Sequence, residues 1–125
     1  MEKLILIVED DDVTLKLLRD ILLVYGYRVI ETTDGREAIE RIAREKPDLV
    51  TLDIYLHGMN GLEVCRAIKS NPETNKIPVI AITASAMQGQ DQTALEAGFD
   101  EIIKKPFDID TLIKKVEMIM SNKSE

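Results

Sequence analysis

Four places along the chain carry residues that belong together chemically: the acidic run Glu9-Asp10-Asp11-Asp12, then Asp53, Thr83-Ala84 and Lys105-Pro106. Two carboxylates about 4 Å apart at an effective dielectric of ~20 repel by roughly 4 kcal/mol. A cluster of them therefore calls for a cation. Oxygen ligands, with no His or Cys at ligand spacing, favour Mg2+ or a similar hard ion over zinc. The Thr83 hydroxyl adds a hydrogen-bond donor and the Lys105 ammonium a positive charge. Metal, donor and cation together trap an oxyanion such as a phosphoryl group. One carboxylate of the cluster can then act as nucleophile and form an acyl phosphate.

Each of these residues also has a plainer role when taken singly. Asp10, Asp11 and Asp12 suit a helix N-terminus, where capping and the dipole favour acids. Asp53 and Thr83 can simply close strands, and Lys-Pro is a routine strand terminator. His57 sits among Gly and Asn in a turn, Cys65 falls on an apolar helix stripe, and Met59 reads as packing. What distinguishes the four places is coincidence: complementary chemistry at the ends of four strands.

Those strands are read from short apolar runs alternating with helical periodicity. Leu4-Ile5-Leu6-Ile7-Val8 has the continuous apolar pattern of a strand buried on both faces. Leu15, Leu18, Ile21, Leu22 and Tyr25 then recur at helical spacing, and Gly26 stops that helix. Arg28-Val29-Ile30-Glu31-Thr32 reads as an edge strand, followed by a helix carrying Ala38, Ile39, Ile42 and Ala43 and closed by Lys46-Pro47. Leu49 to Asp53 is the third strand, and a helix with Leu62, Cys65 and Ile68 follows. Pro78 to Thr83 is the fourth strand, with a short helix ending at Ala97-Gly98. Glu101 to Lys104 is the fifth, and Ile109, Leu112, Ile113, Val116, Ile119 and Met120 mark the last helix. Strict alternation implies an α/β fold, doubly wound, with five parallel strands and five helices on both faces of the sheet. All strands then end at one edge, where such folds bind ligands.

With 125 residues the chain fits one domain, expected over residues 1–121 with 122–125 as a frayed tail. A net charge of −7 disfavours nucleic acid and anionic membranes as partners. No apolar run approaches the ~20 residues of a membrane span, and Met1-Glu2-Lys3 opens no signal-peptide layout. A single cysteine excludes an internal disulfide and fits a reducing compartment. A cytoplasmic location is the expectation.

The sequence resembles the receiver domain of two-component response regulators. The resemblance runs through Ile7-Val8-Glu9-Asp10-Asp11, Asp53 with Gly58-Met59-Asn60-Gly61, Thr83-Ala84, Ala97-Gly98 and Lys105-Pro106-Phe107, and covers nearly the whole chain. It implies the flavodoxin-like strand order 2-1-3-4-5. It implies that Asp53 takes a phosphoryl group from a phosphohistidine on a histidine kinase or histidine phosphotransfer protein. Glu9, Asp10, Asp53 and the main-chain carbonyl of Tyr55 would hold Mg2+. Thr83, Ala84 and Lys105 would bind the phosphoryl oxygens, with a cis peptide bond between Lys105 and Pro106. An effector protein would read the face formed by the fourth helix, fifth strand and fifth helix. The chain would be no classical enzyme but a stoichiometric phosphoacceptor that assists its own phosphorylation and dephosphorylation.

Three departures stand out: His57 where the family often has Pro, Glu9 where Asp is commoner, and Ile102 where an aromatic ring is usual. The segment from Thr83 to Gly89 resembles single-domain regulators of phosphorelays and receivers of hybrid sensor kinases. An alternative of a different class is a haloacid-dehalogenase-type phosphatase, from Asp10-x-Asp12-x-Thr14, with Asp10 as nucleophile and Asp12 as acid. That reading leaves Asp53 without a role. A flavodoxin-like FMN binder is disfavoured because acids, not a Ser/Thr-rich loop, follow the first strand.

Overall fold

Alternation along each strand divides the core into two layers, and this division decides where the helices go. The computed structural model describes residues 2–56, 58–84 and 90–123, with backbone alone for 90–93 and 122–123. Its elements are β1 (Leu4–Val8), α1 (Asp12–Val24), β2 (Arg28–Thr32), α2 (Gly35–Glu45), β3 (Leu49–Asp53), α3 (Gly61–Ser70), β4 (Val79–Thr83), α4 (Gln90–Ala97), β5 (Glu101–Lys104) and α5 (Ile109–Lys123). All four strand pairings are parallel, in the order β2-β1-β3-β4-β5. Leu6 and Val8 of β1, with Val50 and Leu52 of β3, pack against Ala38, Ile42, Val64, Cys65 and Ile68 from α2 and α3. Ile5, Ile7 and Leu49 face the other way, onto Leu18 and Leu22 of α1 and Leu112 and Val116 of α5. Period-two alternation thus feeds both layers from the same five residues.

Helix boundaries follow side-chain chemistry. Asp11, Asp34 and Asn60 cap α1, α2 and α3, each accepting backbone N–H groups of the first turn. Helix α2 ends one residue before Lys46, which turns left-handed at φ 46, and Pro47 bars continuation. Strand β4 begins at Val79 rather than Pro78; Pro78 has no N–H but still accepts from Val50 N–H at 3.0 Å.

Three expectations from periodicity are corrected. Tyr25 does not lie on the buried stripe of α1; it is the C-cap, outside the helical turn, and half exposed. Ile109 is the first residue of α5 and is likewise half exposed. Helix α5 runs through Lys123, two residues into the stretch expected to fray; residues 121–123 include no Gly or Pro to stop it. Residues 124–125 lie outside the described ones.

Candidate functional site

The site is assembled by strand register. β1 pairs with β3 through Val8 and Leu52, so Glu9 and Asp53, each one residue further on, stand side by side at the carboxyl edge. β1 also has β2 on its other flank, and this is where the connection direction reverses, the expected position of a ligand crevice. On the far side of β3, Thr83 ends β4 and is register partner of Lys104. Lys105 N–H then donates to the Thr83 carbonyl at 2.8 Å. One hydrogen bond thereby carries Lys105 to the same edge, and the peptide bond to Pro106 is cis.

Glu9, Asp10 and Asp53 each place a carboxylate oxygen within 4.8 Å of the others. Glu9 is 1% exposed and Asp53 6%, so both carboxyl groups are largely withdrawn from water. Lys105 Nζ lies 3.2 Å from Glu9 Oε1 and 3.8 Å from Asp53 Oδ2. Its approach to Glu9 Oε1 is off the direction of a hydrogen bond, and that oxygen is buried with no aligned donor. The other Glu9 oxygen accepts from Asp11 N–H at 3.1 Å. Asp53 Oδ1 accepts from Tyr55 N–H at 3.0 Å, which fixes the rotation of that carboxylate.

The Glu9 carboxyl is pushed up from 4.5 to about 7, and burial is the largest cause. The adjoining Asp53 carboxyl, by hydrogen bonding and by charge, contributes to that rise; Asp11 N–H and Lys105 offset only part. One ammonium does not neutralise three carboxylates. A buried oxygen with no aligned donor, in an all-oxygen set, is the donor arrangement of a hard divalent cation.

The structure divides the acidic run of the sequence. Asp11 turns away as the α1 cap, accepting from Thr14 N–H at 3.1 Å and from its hydroxyl at 2.6 Å. Those hydrogen bonds hold its carboxyl below the usual range. Asp12 belongs to the first turn of α1. The plain capping role therefore applies to the second pair of acids, and the cluster takes the first. Thr83 is buried, Ala84 exposed and Tyr55 about half exposed. Ile102 is partly buried against the layer under α2, α3 and α4. His57 and residues 85–89, including most of the phosphorelay-like segment, lie outside the described residues. Asn60 and Gly61 received no role from the sequence beyond their place in a motif. The available signal was a capping residue directly before a helix-opening glycine.

The family model of the response regulator receiver domain matches residues 5–117. The chain is 36% identical over 122 residues to the polar-differentiation response regulator DivK of Brucella anthropi, covering 98% of this chain and 99% of that protein. Among solved structures, the receiver domain of sensor histidine kinase PA1611 from Pseudomonas aeruginosa, with a magnesium ion coordinated in its active-site cleft, superposes with a TM-score of 0.90. It shares 30% identity, over 97% of this chain and 99% of that one. A CheY-like receiver domain protein from Methanospirillum hungatei gives a TM-score of 0.90 at 30% identity, over 99% and 98% of the two chains. The phosphatase alternative finds no support in these matches. In the fold, the segment after Lys105 leads to Asp108, which accepts from Thr111 N–H at 2.7 Å as α5 begins, not to a further acidic strand.

Proposed function

Since this chain belongs to the response regulator receiver family, phosphoacceptors of two-component signalling, we propose that Asp53 is the residue that takes the phosphoryl group. The observation that carries this reading is the convergence of Glu9, Asp10 and Asp53 within 4.8 Å around the edge that Lys105 reaches. The donor is a phosphohistidine of a histidine kinase or histidine phosphotransfer protein. The Asp53 carboxylate attacks phosphorus, the new O–P bond forms as the P–N bond breaks, and the electron pair leaves on the imidazole nitrogen. Asp53 is poised for this because Tyr55 N–H holds one of its oxygens.

Glu9, Asp10, Asp53 and the main-chain carbonyl of Tyr55 are the groups that would hold Mg2+. Bound there, the ion supplies positive charge against the incoming phosphoryl oxygens. Lys105 adds the ammonium, and Thr83 and the Ala84 backbone add donors. By the same groups the chain assists its own phosphorylation and dephosphorylation. Residues 1–121 act as the receiver unit in the cytoplasm. The donor docks near α1, and an effector protein reads the face of α4, β5 and α5. Because Ile102 is not an aromatic ring, no large side chain needs to swing when Thr83 moves toward the phosphoryl group. The switch is then mainly a displacement of the segment after β4, which lies outside the described residues.

Incubation with acetyl phosphate and Mg2+ should give one acid-stable, base-labile acyl phosphate, mapped by peptide analysis to Asp53. Label on Asp10 with continuing phosphate release would overturn the reading in favour of a phosphatase.

A further inference from the structure

The first turn of α3 rests directly on the backbone of Asp53. Gly61 is the first residue of α3. A Cβ placed on it would overlap the Asp53 carbonyl oxygen and stand 2.7 Å from Ile54 Cα and 3.1 Å from the Asp53 carbonyl carbon. Gly61 has no left-handed φ, so close approach, not dihedral freedom, demands glycine here. Its N–H donates to the Ile54 carbonyl at 2.8 Å. Asn60 holds the same turn in place, its side chain accepting from Leu62 N–H at 2.7 Å.

These contacts form a short chain that ends on the reacting group. The capped start of α3 fixes the Asp53–Ile54 peptide, and the next peptide N–H, that of Tyr55, holds Asp53 Oδ1. We infer that Gly61 is a positioning residue for phosphoryl transfer, setting the orientation of the Asp53 carboxylate through the backbone it touches. This rests on Asp53 being the phosphoacceptor. Gly35 supplies the contrast. A Cβ there would meet Val64 Cγ2 at 2.8 Å and Met59 Cβ at 3.2 Å. The crowding there is milder and falls on side chains, which can give way where the backbone of a central strand cannot.

The test compares labelling by acetyl phosphate and Mg2+ in the wild type, Gly61→Ala and Gly35→Ala, with the folded fraction of each measured by circular dichroism. In Gly61→Ala the labelling rate per folded molecule should fall roughly ten- to a hundredfold, because a displacement of an ångström misaligns attack. The donor concentration for half-maximal rate should stay within about twofold, since Gly61 does not touch the donor. Gly35→Ala should label at the wild-type rate. A merely structural role would lower the folded fraction and leave the rate per folded molecule unchanged. Folded Gly61→Ala labelling as fast as wild type overturns the inference. If Gly61→Ala does not fold, Asn60→Ala and Asn60→Ser decide. Loss of the cap should slow labelling several-fold and Ser, which caps, should restore it; Asn60→Ala at the wild-type rate overturns the inference. A wild type that is not labelled on Asp53 overturns the phosphoacceptor reading and this inference together. Wild-type labelling with an unimpaired, folded Gly61→Ala overturns this inference alone.

Discussion

Among the described carboxyl groups, Glu9 is the one that burial and charge raise most clearly, and it makes the metal-free protein sensitive to pH. Its carboxyl sits at about 7 in the fold against 4.5 for the ordinary group. Between those values the folded chain holds a proton that the unfolded chain has released. This contribution is fully present below about 4.5 and is lost as the pH rises through 7, so stability should fall across that window. The loss should be on the order of 3 kcal/mol. Urea unfolding with a chelator present should show it, and Glu9→Gln should flatten the profile. Asp10 and Asp11 make a second comparison. Asp10→Asn should weaken Mg2+ binding by on the order of tenfold, because it removes one hard anionic ligand. Asp11→Asn should leave Mg2+ binding unchanged, because Asn keeps the α1 cap. A Mg2+ titration of both variants separates cluster from cap. Thr51, buried in β3, has a hydroxyl oxygen with no hydrogen-bond partner among the described residues. An unsatisfied buried polar group costs about 1–3 kcal/mol, so Thr51→Val should raise stability by roughly 1 kcal/mol, read as a higher urea midpoint.

At the level of elements, caps and register decide where the site forms. Asp34 accepts from Arg36 N–H at 2.8 Å and Glu37 N–H at 3.4 Å and thereby begins α2. Asp34→Ala should cost about 1 kcal/mol in urea unfolding, while Asp34→Ser should recover most of it. Neither variant should alter Mg2+ binding, because α2 contributes no carboxylate to the cluster. The β4–β5 pair carries Lys105 into place through register and the Thr83 carbonyl. Lys115 further ties α5 to β5, its ammonium 3.0 Å from the Ile102 carbonyl and 3.2 Å from Glu101. Site and proposed effector face therefore share β5 as a common element.

For the whole molecule, phosphorylation adds roughly −1.5 to −2 charge to a chain already at −7, within a cluster that Lys105 approaches with its ammonium. Redistribution should run from Thr83 through β5, which pairs with β4 at Thr83 and Lys104, toward the proposed effector face. Backbone chemical shifts with and without a phosphoryl mimic should change at residues 84–89 and 102–107. In Thr83→Ala, labelling at Asp53 should persist while those changes are lost; undiminished changes in that variant would overturn the route.

The sequence alone determined the order of elements, the parallel sheet and the four places where chemistry collects. Each of these depends on local periodicity: strands such as Leu49–Asp53 and Glu101–Lys104 read off at their observed bounds because apolar runs end where the chain meets charge. The family resemblance named Glu9 and Asp10 out of Glu9-Asp10-Asp11-Asp12, and the tertiary structure supplies the physical reason for that choice. Four consecutive acids are equivalent by composition, and the choice falls where β1 stops against β3 and where α1 takes Asp11 for its own first turn. The same reason hid the exposure of Tyr25 and Ile109, since helical spacing assigns a face but not what packs against it. It also hid Gly61. A glycine in sequence signals freedom, and only the packing of α3 on β3 shows that here it signals the absence of room beside Asp53.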